Sequence, residues 1–263
     1  MSEKLRLDVA VFERGFAETR EKAKALIMAG SVYLNGQKAL KGGVTIKESD
    51  VIEVRGAVNP YVSRGGLKLH KAVGAFGLNL KDCICMDIGA STGGFTDCLL
   101  RRGAREVYSI DAGVDQLHES LRNDARVHSI EKFNARELTA EITNGENDVA
   151  VMDVSFISQT YIIPQVAGVL CDGGSFVSLI KPQFEAGRSA LSKGGVVTNS
   201  AYRFLAVKRV INCALENGFD CVGLIRSPIE GGDGNVEYLA HFVKKACVKP
   251  KVDDKLIKRI TSI

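Results

Sequence analysis

Histidine is scarce in this chain, four residues in 263, and the seven cysteines form no C-x-x-C pair. A structural zinc site needs clustered Cys and His ligands, so no metal is expected. Cys83, Cys85, Cys98, Cys171, Cys213, Cys221 and Cys247 are odd in number and sit mostly in apolar contexts. They read as small core residues of a protein in a reducing compartment, the cytoplasm, not as a disulfide framework. No stretch approaches the roughly 18 apolar residues that span a bilayer, so no stable membrane insertion is expected. The first residues are charged where a signal peptide would be apolar, so no secretion signal is expected either. Internal repeats and low-complexity segments are absent. The glycine-rich stretch at 89–94 is not G-x-G-x-x-G and carries no G-K-[ST], which excludes the dinucleotide fingerprint and the P-loop there.

What is present is charge, placed unevenly. Residues 1–81 carry fourteen Lys/Arg against eight Asp/Glu, residues 82–243 fourteen against twenty-one, and residues 244–263 seven against two. The net values are +6, −7 and +5 within a formal total of +4. Basic ends around an acidic middle suit a polyanion held by the ends. Each basic end alone equally suits a solvated surface. With 45% hydrophobic residues the chain has material for one large and one small domain. The expected division is 1–60, 61–244 and a basic tail over 245–263, with a linker over Gly56–Pro60. Leu256, Ile257, Ile260 and Ile263 fall at helical spacing, so the tail is either a short amphipathic helix or a frayed end.

The first sixty residues read as a small α+β module. Leu5–Arg14 predicts a helix stopped at Gly15. Thr19 is placed to cap a second helix with Ala23, Leu26 and Ile27 on one face and Gly30 past its end. Ser31–Leu34, Asn35-Gly36 and Gln37–Ala39 predict a hairpin with a type I′ turn, and Val51–Val54 another strand. Arg6, Arg14, Arg20, Lys22 and Lys24 fall on or beside the helices, and Lys41 and Arg64 extend this basic set. The pattern from Arg6-Leu-Asp through Val32-Tyr-Leu-Asn-Gly36 to Asp50-Val-Ile-Glu-Val54 resembles the S4 RNA-binding domain. That resemblance implies a grip on folded RNA through phosphates and shape. A small cap that merely packs on the rest is the plainer alternative.

Beyond residue 60, strand and helix signals alternate. A helix runs to about Phe76, and Cys83–Ile88 predicts a buried strand. Gly89–Gly94 is a tight loop and Phe95–Arg102 a helix. Val107–Ile110, Asp148–Met152 and Gly174–Ile180 predict strands, with helices near 158–170 and 200–217. Asp220–Ile225 and Tyr238–Val243 close the series. Repeating βα units predict a mostly parallel α/β sheet with helices on both faces. Ligands of such sheets lie beyond the carboxyl ends of the strands. The Gly89–Gly94 loop, Asp111, Asp153 and Lys181 all fall at such ends.

The loop Gly89-Ala90-Ser91-Thr92-Gly93-Gly94-Phe95 resembles the S-adenosylmethionine loop of Rossmann-like methyltransferases. It would place bare backbone and a helix N-terminus against a nucleoside-bearing ligand; an ordinary βα turn is the alternative. Asp87 would order this loop or reach the cofactor's amino group. Asp111 would accept the ribose hydroxyls, or else cap a helix. Asn134 and Ala135, with Phe133 nearby, would border the adenine. Lys181 follows a buried apolar strand directly, where a cation is costly unless paired or functional. Taken alone, each charged strand end is equally a solvated residue.

Lys68 in Ser-Arg-Gly-Gly-Leu-Lys, Asp153 in Asp-Val-Ser-Phe, Lys181 in Leu-Ile-Lys-Pro-Gln-Phe-Glu and Glu237 in Gly-Asn-Val-Glu-Tyr resemble the tetrad of FtsJ-like ribose 2′-O-methyltransferases. Joined to the S4-like module, residues 5–243 resemble the TlyA (hemolysin A) family. The resemblance implies 2′-O-methylation of cytidine in ribosomal RNA, of the small subunit and in some members also the large, with S-adenosylmethionine as cofactor. It implies that Lys181 orients and deprotonates the 2′-hydroxyl, for which burial and the nearby cation Lys68 would favour a neutral amine. Asp153 would position Lys181, and Glu237 would hold Lys68 or the hydroxyl. Two other readings stand beside this one: a membrane-active cytolysin, and an RNA-binding assembly factor with a vestigial pocket. The nucleotide modified, the state of the substrate and the oligomeric state are not legible in the sequence.

Overall fold

The structure is a computed structural model that describes residues 5–262, apart from 18, 48, 55–58, 146, 233 and 246–250. Most of the expected linker and Cys247 lie outside the described residues. The chain divides into two compact units, Met1–Pro60 and Tyr61–Ile263.

The first unit begins with β1 (Leu5–Arg6), α1 (Leu7–Glu13) and α2 (Arg20–Met28). It continues with β2 (Val32–Leu34), β3 (Gln37–Lys38), β4 (Thr45–Ile46) and β5 (Ile52–Val54). Leu7, Ala10 and Val11 on α1 and Ala23, Leu26 and Ile27 on α2 stand one helical turn apart and close on Val32, Ile46 and Ile52. Thr19 Oγ1 accepts from the Lys22 backbone N–H at 3.2 Å, the expected cap. Asn35 and Gly36 have φ of +50° and +81° between paired Leu34 and Gln37, as a type I′ turn requires. The predicted first helix is shorter than expected. Leu5 and Arg6 instead pair with Ile46 and Thr45, so the chain enters α1 from a strand.

The second unit contains α3 (Gly65–Phe76), β6 (Ile84–Ile88), α4 (Gly94–Arg101), β7 (Glu106–Ile110), α5 (Glu119–Arg122) and β8 (Val127–Ile130). Then follow β9 (Asn147–Met152), α6 (Ile163–Val169), β10 (Leu170–Ile180) and α7 (Pro182–Glu185). Last come α8 (Ser200–Glu216), β11 (Phe219–Arg226), β12 (Tyr238–Lys244) and α9 (Asp254–Thr261). One seven-stranded sheet runs in the order β11-β12-β10-β9-β6-β7-β8. β8, β7, β6, β9 and β10 pair in parallel, and β12 runs antiparallel to both its neighbours.

Both faces of this sheet are apolar, and the side chains alternate between them. Met86, Ile88, Ala150, Met152, Phe176 and Ile180 face α6, α8 and α9. Cys85, Val149, Val151, Val177 and Leu179 face α3 and α4. This period of two under helices on both sides is why these strands read as near-continuous apolar runs. The helix predicted near 158–170 is a 3₁₀ turn over Gln159–Tyr161 followed by the short α6, because the chain enters β10 at Leu170. Residues 254–261 form a helix capped by the Asp253 side chain and seated against α8. Cys85, Cys98 and Cys221 are buried, whereas Cys83, Cys171 and Cys213 are half-buried, and all six are free thiols.

Candidate active site

Five chain crossings converge at one end of this sheet: the ends of β6, β7, β9 and β10, and the start of β12. The reversal of β12 is what brings Glu237, the residue before it, to the same edge as Asp153 and Lys181. A cleft of about 290 Å³ opens there. Gly89, Ala90, Ser91, Thr92, Gly94 and Phe95 line one wall, Lys68, Asp153, Ser155 and Lys181 another, and Ile229–Gly232 the rim.

The tetrad residues form two ion pairs. Lys68 Nζ, delivered by α3, donates to Glu237 Oε2 at 2.6 Å, both side chains being buried. Lys181 Nζ lies 2.6 Å from Asp153 Oδ1 and donates to Ser155 Oγ at 2.8 Å. Burial pushes the Glu237 carboxyl up from its ordinary value, opposed by Lys68 and, more weakly, by Lys181. The expectation left Glu237 a choice between Lys68 and the hydroxyl. In the structure its Oε2 meets Lys68.

Backbone hydrogen bonds hold the glycine loop and the strand end before it. Gly89 N–H donates to the Ile110 carbonyl at 2.8 Å, Asp153 N–H to the Ile88 carbonyl at 2.9 Å, and His118 N–H to the Thr92 carbonyl at 3.2 Å. Gly89 has φ of +82°, and a Cβ on it would stand 2.6 Å from the Asp153 carbonyl oxygen. A Cβ on Gly94 would stand 2.2 Å from Ser63 Oγ and 2.8 Å from the Gly66 nitrogen. A Cβ on Gly93 would meet Leu121 and Leu117. Only bare backbone fits between these neighbours.

Asp87 lies under the loop, fully buried. Its Oδ2 accepts from the Thr96 backbone N–H at 2.9 Å and from Thr96 Oγ1 at 2.7 Å, pinning the first turn of α4. Its Oδ1 is buried with no partner among the described residues. Burial raises its pKa to about 7, against the pull of the Thr96 hydrogen bonds. Asp111 does not cap a helix. Its two oxygens accept the backbone N–H groups of Ser91 and Gly113 at 2.8 and 2.7 Å, lacing the loops after β6 and β7 together. Each oxygen keeps a further lone pair for a ligand.

Asn134 and Ala135 are not among the residues lining the cleft. The Asn134 side chain caps the 3₁₀ turn Ala135–Glu137 by accepting from Arg136 N–H at 3.2 Å. The Phe133 backbone N–H donates to the Asp111 carbonyl at 3.0 Å, which keeps this segment beside the β7 end.

The predicted RNA-binding residues divide. Arg64 lies on the cleft of the second unit, and the others lie in the first. Asp8, with a wholly buried side chain, accepts Arg6 Nε at 2.9 Å and Arg20 Nε at 3.1 Å. Arg14 donates to the Asp50 carbonyl at 2.7 Å. Lys22, Lys24 and Lys41 are exposed.

Sequence reasoning missed Ser155 and the Ile229–Gly232 rim, although the Gly231-Gly232-Asp233-Gly234 run before Glu237 is a visible signal for a loop at a site. It also missed that Phe156 is 91% exposed with φ of +64°, its ring 5.2 Å from that of Phe184. A bulky residue in that backbone region is uncommon, and such outliers cluster at sites.

The strand order with its one reversed strand, and the cleft at the glycine loop, define a Rossmann-like methyltransferase. At fold level the chain is similar to a solved structure from Listeria monocytogenes, provisionally designated an S-adenosylmethionine-dependent methyltransferase, 20% identical, TM-score 0.52, over 69% of this chain and 99% of that one. Residues 61–244 match the family model for FtsJ-like methyltransferases and residues 5–52 that for the S4 domain. The chain belongs to the TlyA family of S4-bearing, FtsJ-like methyltransferases. It is 41% identical over 239 residues to the 16S/23S rRNA (cytidine-2′-O)-methyltransferase TlyA of Mycobacterium tuberculosis, covering 90% of this chain and 89% of the relative. It is 48% identical over 240 residues to hemolysin A of Brachyspira hyodysenteriae, covering 91% of this chain and 100% of the relative. A solved structure from Streptococcus thermophilus, provisionally designated a hemolysin, is 43% identical with a TM-score of 0.79 over 100% of this chain and 96% of that one. Among the described residues no helix is long and apolar enough to cross a membrane.

Proposed function

We propose that this protein transfers a methyl group from S-adenosylmethionine to a ribose 2′-hydroxyl of ribosomal RNA, on cytidine, as its TlyA relative is named for doing, and that it works in the cytoplasm. The observation that carries the reading is the pair of ion pairs, Lys181–Asp153 and Lys68–Glu237, on a cleft walled by the glycine loop.

The residues fit the cofactor. The loop 89–94 offers bare backbone, Asp111 lines a small hollow beside it with Ala90, Ser91 and Gly113, and the orphaned Asp87 Oδ1 is an acceptor suited to a cationic amino group. Bound there, S-adenosylmethionine supplies an electrophilic sulfonium methyl. The protein's part is alignment, which in favourable systems lowers a barrier by roughly 7–11 kcal/mol. Lys181 orients the 2′-hydroxyl and, once it has itself given up a proton, would accept the hydroxyl proton as the oxygen becomes bonded to carbon and the sulfur leaves as a neutral thioether. Asp153 and Ser155 fix the Lys181 Nζ. Lys68 balances the buried Glu237 charge and adds a positive field at the reacting oxygen. Phe156 offers the kind of exposed aromatic face on which an unstacked base can lie. The first unit would dock the RNA through Lys22, Lys24, Lys41 and the Asp8-held Arg6 and Arg20.

The test is transfer of tritiated methyl to separated small and large ribosomal subunits lacking the modification, with Lys181→Ala alongside. Label on a ribose 2′-oxygen that disappears in the variant supports both reaction and role. Label retained at near the wild-type rate in Lys181→Ala would remove Lys181 from the mechanism.

A further inference from the structure

Glu185 is a buried carboxylate, 3% exposed, that the mechanism above leaves unused. Both its oxygens are taken by the loop that follows β9. Ser158 Oγ donates to Oε2 at 2.6 Å, and the Gln159 backbone N–H donates to Oε1 at 2.8 Å. Gln159 carries the connection onward: its Nε2 donates to the Leu179 carbonyl at 2.6 Å, and its Oε1 accepts from Ser178 Oγ. The loop is thereby tied to α7 and to the end of β10 at once. Asp153 and Ser155 belong to that loop, and Lys181 lies between Leu179 and Glu185.

The location is costly. Burial pushes the Glu185 carboxyl up, and Arg209 donates to its backbone carbonyl at 3.1 Å rather than to its side chain. Apolar residues close a loop at lower cost. A carboxylate here gives instead two short, directional bonds between the two segments whose register sets the Lys181–Asp153 contact.

We propose that Glu185 is a positioning residue for methyl transfer, holding Asp153 and Ser155 in register with Lys181. This deepens the functional reading above and rests on it. Methyl transfer to ribosomal subunits is measured for Glu185→Ala, Glu185→Gln and Ser158→Ala, together with S-adenosylmethionine binding by equilibrium dialysis. For Glu185→Ala the expected result is a fall in kcat of about 100-fold, the scale of a 1 Å misplacement. KM for RNA and Kd for the cofactor stay within about twofold, since Glu185 is not among the residues that line the cleft. Glu185→Gln, which keeps an acceptor for the Gln159 N–H, restores a large part of kcat. A folded Glu185→Ala within threefold of wild type, or a Glu185→Gln as impaired as Glu185→Ala, overturns the proposal. If Glu185→Ala does not fold, Ser158→Ala decides: a kcat down about tenfold at constant KM supports it and an unchanged kcat overturns it. A wild-type protein that transfers no label at all overturns the functional reading first and this proposal with it.

Discussion

Two lysines sit in this cleft without leaving net charge behind, because each has its own carboxylate. Removing one partner leaves the other buried and uncompensated, which typically costs 3–5 kcal/mol. Lys68→Met should therefore destabilise the protein by about 3 kcal/mol in urea unfolding, and Lys68→Met with Glu237→Leu should recover most of that loss. A double variant no more stable than the single would show the pair contributes little by being a pair. Asp87 sets a second residue-level expectation. Its folded pKa is about 7, above the ordinary carboxylate value. Between those values the folded state holds a proton that the unfolded state has lost. The stability it contributes is thus full in acid and lost as pH rises through about 7. Asp87→Asn should gain on wild type as pH goes from 5 to 8, and parallel stability curves would refute this. Asp153 and Lys181 were legible as charged residues at strand ends, Glu237 as a carboxylate just before a strand, and Lys68 only through its motif. The pairing of Lys68 with Glu237 was not, because it depends on α3 and β12 meeting across 169 residues of sequence. Glu185 was part of a quoted motif, but nothing in one sequence says that its oxygens face Ser158 and Gln159.

At the scale of elements, local chemistry carried most of the reading. The Thr19 cap, the Asn35-Gly36 turn and the apolar runs of β6, β9 and β10 each follow from a propensity or a period, and each stands where expected. What was not legible came from pairing partners. Leu5-Arg6 leaves the helix for a strand because Thr45–Ile46 is there to receive it, and the 158–170 helix is cut short where β10 begins. The same limit applies to Asn134, whose placement depends on a 3₁₀ turn that no periodicity announces. Two substitutions test the elements. Thr19→Ala removes one cap hydrogen bond and should cost the first unit about 1 kcal/mol. Gly89→Ala meets the Asp153 carbonyl in a left-handed backbone position. It should cost about 1–3 kcal/mol of stability and weaken S-adenosylmethionine binding by about tenfold in calorimetry. Unchanged cofactor affinity in that variant would separate the loop from the ligand.

At the scale of the whole molecule, the charge pattern and the two units tell one story from different directions. Of the +6 on residues 1–81, only +2 falls on residues 1–60, where the charges are mixed, and +4 falls on residues 61–81, while the acidic stretch 82–243 holds the sheet and most of the cleft. RNA affinity should therefore reside in a few exposed cations and respond steeply to salt. Lys22→Ala with Lys24→Ala should lower the slope of log K against log salt by about 2, measured with fragments of ribosomal RNA. A slope unchanged from wild type would move the RNA contact elsewhere. The reversed strand β12 has a consequence for synthesis. It is the last strand made, yet it must enter between β10 and β11, which precede it, and it brings the partner of Lys68. While residues 237–244 are still inside the ribosomal exit tunnel, the sheet has an open slot and Lys68 has no carboxylate. The site is thus completed only when the last strand of the sheet has taken its place.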